Sequence, residues 1–254
     1  MTTQTAIPAA DSFPRIAPVG IAGVLVSFAD RLDEPANRAA LAFRAALEAE
    51  SWDGVEEVSS SLTSTFLRFD PLHLDHARLT ARLHALLASK DWTHADLPGG
   101  RRHFRIPCVF GTDLAPQFIE AAAAAGLTPD QALASLTAAR PRVLTIGFAP
   151  GQPYTGQLPP EWDIPRLTTL NTRIPEGALV VAIRQLIIFS AATQTGWRHI
   201  GQTAFRCFRP EAGEPFALRP GDELSFRAVT AAELENIRMT DRTGHGGAEI
   251  EVIR

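Results

Sequence analysis

The densest run of chemically useful residues is Gly147-Phe148-Ala149-Pro150-Gly151-Gln152-Pro153-Tyr154-Thr155-Gly156. Glycines admit backbone conformations that other residues resist, and prolines stiffen the stretches between them. Such a loop can turn main-chain N–H groups toward an anion or carboxylate. It can equally be the rigid corner of a barrel, a reading slightly favoured because rigidity needs no ligand. No Gly-Lys-Ser/Thr ending follows, so this is not a Walker phosphate loop.

The histidines give candidates without partners. His73 and His76 flank Asp75 at a helix start, but zinc needs a third ligand and none stands nearby, so no metal site is expected. His199, beside Trp197 and Arg198, is either a hydrogen-bonded, half-buried imidazole or a general base whose partner cannot be named. His103 and His245 carry no pattern, the latter in a Gly244-His245-Gly246-Gly247 turn. Ser190, Thr193, Thr195 and Cys207 are possible nucleophiles outside any elbow or triad pattern. Glu161, Asp163 and Asp222 are available carboxylates, and the Pro220-Gly221 before Asp222 gives it a turn role. Arg166 and Arg173 flank a proline-bounded segment and either clamp a carboxylate or lie in solvent.

These residues must be positioned by regular elements. Ile21 to Phe28 reads as a strand and Pro35 opens a helix through about Glu50. Val55 to Ser60 and Thr65 to Phe69 are short strands, Leu74 to Leu87 a second helix, and Phe104 to Phe110 another strand. The order strand, helix, strand, strand, helix, strand is the split βαβ, ferredoxin-like arrangement. After Gly111, Leu114 to Ala125 reads as a helix ending at Gly126, and Thr128-Pro129 caps another. Val143 to Phe148 follows as a strand. Ala178 to Arg184, Leu186 to Ser190, Arg198 to Ile200, Thr203 to Phe208 and Leu224 to Val229 are further strands between turn residues, which suits a β-barrel or sandwich better than a parallel sheet. Thr230 to Glu233 has a capping pattern for a late helix, and Glu249 to Ile253 is expected to close the sheet. The fold class is therefore α+β, with an N-terminal α+β domain over 12–110 and a barrel- or sandwich-type β domain over 111–254.

Net charge is -4, which argues against general nucleic-acid binding, and the run Arg101, Arg102, His103, Arg105 reads as a solvated approach to a strand. Two distant cysteines, Cys108 and Cys207, form no framework and suit a reduced cytoplasmic protein. Met1 to Asp11 lacks a secretory pattern, and no apolar run approaches membrane-spanning length, so no membrane partner is expected.

The string Gly147 to Tyr154 resembles the G-F-x-P-G-F-P-Y signature of the KipI family. That family includes the B subunit of 5-oxoprolinase and the first subunit of allophanate hydrolase, and its domain occurs in the carboxyltransferase part of urea carboxylases. Pro165-Arg166, Ile174-Pro175-Glu176-Gly177-Ala178 and Leu218 to Phe226 are similar to further family elements. Gly196-Trp197-Arg198-His199-Ile200-Gly201-Gln202-Thr203 is similar to G-W-x-x-I-G-R-T. The resemblance covers nearly the whole chain. It implies a ferredoxin-like N-terminal domain followed by a cyclophilin-like barrel, and ATP-dependent hydrolysis of a small amide or lactam. It also implies a homologous partner, of the type of the 5-oxoprolinase C subunit or the second allophanate hydrolase subunit. ATP serves such a reaction because a lactam is resonance-stabilised, and phosphorylating its oxygen makes the carbonyl attackable. Some relatives instead inhibit a sporulation histidine kinase, so a regulatory subunit is the alternative.

Departures accompany the match. Where the family reads A-G-x-Q-T-G-I-Y-P, this chain reads Ala182 to Ser190, an apolar run that retains Gln185. Leu170-Asn171 stands in place of Pro-Arg, and Gln152 in place of an aromatic. Within this resemblance Gly151, Tyr154 and Gln185 are expected to form the pocket, with Arg166 as an anion contact; no residue is assigned catalysis.

Overall fold

A computed structural model describes residues 13–171 and 173–253; the Met1 to Asp11 stretch and Arg254 lie outside them. The chain divides into two compact units, Met1–Pro98 and Gly99–Arg254.

In the first unit β1 (Arg15–Val19), β2 (Gly23–Ser27), β3 (Val55–Ser60) and β4 (Ser64–Phe69) form an antiparallel sheet ordered β1-β2-β4-β3. Helix α1 (Glu34–Glu50) starts where Asp33 accepts a 2.7 Å hydrogen bond from the Ala36 N–H, and α2 (His76–Leu87) where Asp75 accepts from Arg78. Val24, Val26, Leu67 and Phe69 share a buried core with Ala39, Ala40 and Phe43 of α1 and Leu79 and Leu83 of α2. The split βαβ is present as β2-α1-β3, with β4 between the two strands. Its fourth strand, however, is β1, from before the motif, not the expected Phe104 to Phe110 from after it.

That later segment, β5 (Arg101–Phe110), belongs to the second unit, so the expected division at 110/111 moves back to 98/99. The reason lies in its burial. Phe104, Ile106, Cys108 and Val109 are all sealed from solvent, which suits an interior barrel strand better than the edge of a one-faced sheet. The second unit continues with α3 (Phe118–Ala124), α4 (Pro129–Ala138), β6 (Arg142–Ile146), β7 (Pro153–Gly156), β8 (Ala178–Ala182), β9 (Gln185–Ile188), β10 (Arg198–Gln202), β11 (Glu223–Ala228), α5 (Ala231–Thr240) and β12 (Glu249–Ile253). The strands form a ring ordered β10-β8-β9-β7-β6-β11-β5, closed where Gly201 and Gln202 of β10 pair with Phe110 and Val109 of β5. Strand β12 does not close it, contrary to expectation; it lies along the first half of β5.

Buried side chains from every ring strand except β7 meet in one core, joined by Phe118, Ala121 and Leu136 from α3 and α4. Helix α3 begins at Phe118, not Leu114, because Pro116 disfavours helical backbone at the preceding Ala115. Thr203 to Phe208 forms no strand: the Thr203 hydroxyl donates to Gly177 O and accepts from the Phe205 N–H, which diverts the backbone from a ladder. No helix among the described residues is long and apolar enough to cross a membrane.

Candidate functional site

Cross-strand partners in a sheet share a face, so the register locates the candidate residues. Tyr154 pairs with Ile187, Ile187 with Val180, and Val180 with His199. The neighbouring row runs Gly156, Gln185, Ala182, and Ala178 pairs with Gln202. Tyr154, Gln185, His199 and Gln202 therefore lie on one face of the barrel wall, opposite the main core. On that face Ala178, Val180, Ile187 and Trp197 form a second apolar cluster.

His199 and Gln202 are three positions apart, a spacing that would set them on opposite faces of a regular strand. A bulge re-phases them: His199 pairs with Val180 while Gly201 pairs with Leu179, leaving Ile200 as the extra residue. Gly201 is required there, since a Cβ would stand 2.5 Å from Cys108 Sγ.

Both side chains line a cleft of about 570 Å³ together with Asp113, Gln117, Asn171 and Arg173. One wall is a reciprocal amide pair: Gln117 Nε2 donates to Asn171 Oδ1 at 3.0 Å, and Asn171 Nδ2 donates to Gln117 Oε1 at 2.9 Å. Gln117 Oε1 also accepts from the His199 backbone N–H at 2.8 Å, and Asn171 Nδ2 donates to Trp197 O at 2.7 Å. The pair thus ties α3's entry loop and the 171 segment to β10. Gln202 Nε2 donates to Glu176 O at 2.9 Å and Thr203 O at 3.0 Å. What remains is specific. His199 Nε2 and Gln202 Oε1 are buried without a hydrogen-bond partner, in residues only 5% and 1% exposed. Burial pushes the His199 pKa down from its ordinary value, against the opposing hydrogen bonds of the Gly201 backbone and the Gln202 side chain, and so favours the neutral ring.

The four expected pocket residues do not assemble as one site. Tyr154 meets Trp197 edge-to-face at 6.3 Å, and the Arg166 guanidinium lies 5.6 Å from the same ring. Gln185 is buried, its Nε2 without a partner. Three strand spacings separate Tyr154 from His199, about 14 Å. Gly151 has φ +72°, and a Cβ there would stand 2.6 Å from the Cys207 carbonyl; it is the stiff corner. Gln117 carries no motif that marks it as a site residue; His199, Arg173, the Asn171 departure and the string that holds Gln202 are the sequence signals that fall on this cleft.

The other candidates resolve structurally. The basic run is neutralised pair by pair: Arg101 with Glu223, Arg102 with Asp222, His103 with Glu251 and Arg105 with Glu249. Asp222, wholly buried, also accepts from the Arg102 and Arg219 backbone N–H groups. His73 bonds Asp70, and His76 bonds Ile21 O. Ser225, His103 and Glu251 stand in the order nucleophile, base, orienter, at 2.8 and 2.9 Å. Yet Ser225 does not line the hollow beside His103, and the Glu251 side chain is 64% exposed. This is one rung of a solvated ladder of ion pairs. Cys108 and Cys207 are buried thiols whose pKa values burial raises, so neither is an activated nucleophile.

The sequence model described as carboxyltransferase domain, subdomain C and D, matches residues 14–218. The chain is 26% identical to the B subunit of 5-oxoprolinase from Bacillus subtilis over 85% of its own length and 93% of that protein. It is 34% identical to the Escherichia coli O157:H7 protein of the same name, over 49% of this chain and 57% of that one. Among solved structures, TTHA0988 superposes with a TM-score of 0.69 at 27% identity, covering 83% of this chain and 40% of that one. The Kluyveromyces lactis urea amidolyase shares the fold, with a TM-score of 0.67 at 18% identity over 96% of this chain and 17% of that one.

Proposed function

The chain belongs to the family of carboxyltransferase domains, subdomains C and D, and from that premise we propose that it works as a subunit of an ATP-dependent complex that hydrolyses a small amide or lactam. The observation that carries the reading to this chain is the cleft base, where His199 Nε2 and Gln202 Oε1 are buried without protein partners. Native proteins seldom leave such atoms unpaired, and a polar ligand pairs them. The curated relatives named as the B subunit of 5-oxoprolinase support a multi-subunit assembly, with a homologous second subunit as the partner. The closed ring of strands supports a cyclophilin-like assignment for the barrel.

Within this reading Gln117 and Asn171 hold the cleft wall, His199 and Gln202 bind the amide, and Arg173 stands exposed on the lining for a carboxylate. Tyr154, Trp197 and Arg166 buttress the same face, and Gln185 continues it. A triphosphate does not suit this cleft. Its lining cations are Arg173 and Arg238, Arg238 is already paired with Glu235, and Asp113 adds negative charge. ATP is accordingly assigned to another subunit of the complex.

The experiment is coexpression with the homologous second subunit and the subunit to which ATP is assigned, followed by assay of ADP release. Release that rises with added 5-oxoproline or a ureido compound, and only in the assembled complex, is the expected result. Assembly without any amide-dependent ADP release would overturn the proposal.

A further inference from the structure

In the loop from Gly147 to Gly151, the Ala149 N–H donates to the Gly147 carbonyl at 2.9 Å, closing a three-residue turn around Phe148, whose φ is +68°. This is the rare, strained form of that turn, and a large side chain resists its apex where glycine would not. The Phe148 side chain is nonetheless exposed, the residue keeping 78% of its surface in solvent. The strain is therefore retained without the burial that would offset it. An exposed aromatic residue alone needs no explanation. One that is also held in a strained conformation is placed for something outside its own chain.

The loop holds that ring still. The Gly147 N–H donates to Gln152 O and the Gln152 N–H to Ala149 O, both at 3.1 Å. Pro150 and Pro153 restrict the backbone on either side of Gly151. Gly151 itself is seated on the neighbouring 207–217 hairpin, where a Cβ would stand 3.1 Å from Phe208 Cβ. Phe208 bridges to Phe216 across that hairpin, with ring centroids 5.3 Å apart, and Phe216 is exposed. Three phenylalanines thus gather at one corner of the second unit. Aromatic side chains on a rigid loop lose little freedom on association, and such residues concentrate the binding energy of protein–protein contacts.

Resting on the multi-subunit reading above, we propose that this corner docks the homologous second subunit, with Phe148 as the anchor in an apolar socket and Phe208 and Phe216 beside it. Charge favours a protein over a lipid surface. Glu211 and Glu214 stand at the tip of the same hairpin, both exposed, and Glu214 forms no ion pair among the described residues. Carboxylates beside the rings repel anionic headgroups and complement a cationic rim around a socket. The relatives also support a lasting protein neighbour. The Bacillus subtilis protein, matched over 93% of its length, is named as one subunit, and more than half of the TTHA0988 chain lies outside the part that superposes.

The test measures, by calorimetry, the affinity of the full chain for the separately purified second subunit, and the urea unfolding of the chain alone. Phe148→Gly relieves the turn and removes no buried contact. It is expected to raise the urea midpoint while weakening binding about tenfold or more. Opposite shifts in stability and affinity are what a purely structural role would not produce. Phe216→Ala, which leaves the loop untouched, is expected to weaken binding several-fold.

Unchanged affinity in Phe148→Gly, a midpoint that does not rise, or no binding by the unaltered chain would overturn the inference. Binding to phosphatidylglycerol-containing vesicles that Phe148→Gly abolishes would also overturn it, by assigning the corner to a membrane. A complex that assembles through Phe148 but releases no ADP with any amide would sink the proposed function and leave this surface standing. Amide-dependent ADP release with affinity unchanged in Phe148→Gly would do the reverse.

Discussion

At the scale of single residues, the cleft turns on the proton inventory of His199. Burial lowers its pKa below the ordinary 6.5, so acidification first charges the imidazole in the unfolded chain and only later in the folded one. The sign is fixed: this residue contributes stability above about pH 6.5, and that contribution fades as pH falls through the lower folded value. Protonation also turns an acceptor into a donor. Ligand binding through His199 is therefore expected to weaken several-fold below the ordinary histidine range; calorimetry between pH 7.5 and 5 checks it. A pH-independent affinity would mean that His199 does not touch the ligand. Individual residues are partly legible in the sequence. Tyr154 and Gln185 do share the face of the cleft, and His199 stands out as a base without a partner. Its neighbours Gln117, Asn171 and Gln202 are scattered along the chain, and a bulge that no periodicity reveals brings Gln202 into phase.

At the scale of elements, the hairpin between β8 and β9 departs most from local preference. Its two-residue turn places Ile183 at φ 44° and Arg184 at φ 59°, both in the left-handed region that such turns require and β-branched residues resist. Tertiary bonds hold it there: Ile183 N–H to Ile164 O, Arg184 N–H to Trp162 O, and Arg184 Nε to Leu158 O. The strand pair itself is readable from its apolar run, but nothing in Ile-Arg announces a turn. The glycine of the family string A-G-x-Q sits at the first of these positions. Ile183→Gly is expected to stabilise the protein by about 1 kcal/mol, seen as a higher urea midpoint with an unchanged slope. A lower midpoint would show that the exposed isoleucine packs more than it strains. Other elements follow their sequence signals closely. Thr128 and Gln131 form the full capping box of α4, and Thr230 caps α5 by accepting from the Glu233 N–H.

At the scale of the whole molecule, the corrected division between units makes a sharp prediction. A fragment starting at Gly99 retains β5 and is expected to give cooperative thermal unfolding and a barrel-like circular dichroism spectrum. A fragment starting at Gly111, the boundary the sequence suggests, lacks the strand that pairs with β10, β11 and β12 and is expected to remain unfolded. Cooperative folding of the shorter fragment would refute the placement of β5. The difference has a physical origin. An alternating apolar strand after two helices fits the next slot of a split βαβ, and sequence order alone cannot show that the slot is filled by a strand from the other side.

Strand β5 also sets a schedule. It is the first segment of the barrel to be synthesised, yet all three of its partners lie after residue 197. At ribosomal speed the interval between making Phe110 and completing β11 is roughly ten seconds. Throughout that interval a long apolar edge has no native neighbour, a condition in which strands pair with the wrong chain. The ring therefore closes backward in time, its oldest strand waiting for its youngest. Slowing translation between β5 and β10 would lengthen the exposure and lower soluble yield without altering the finished protein.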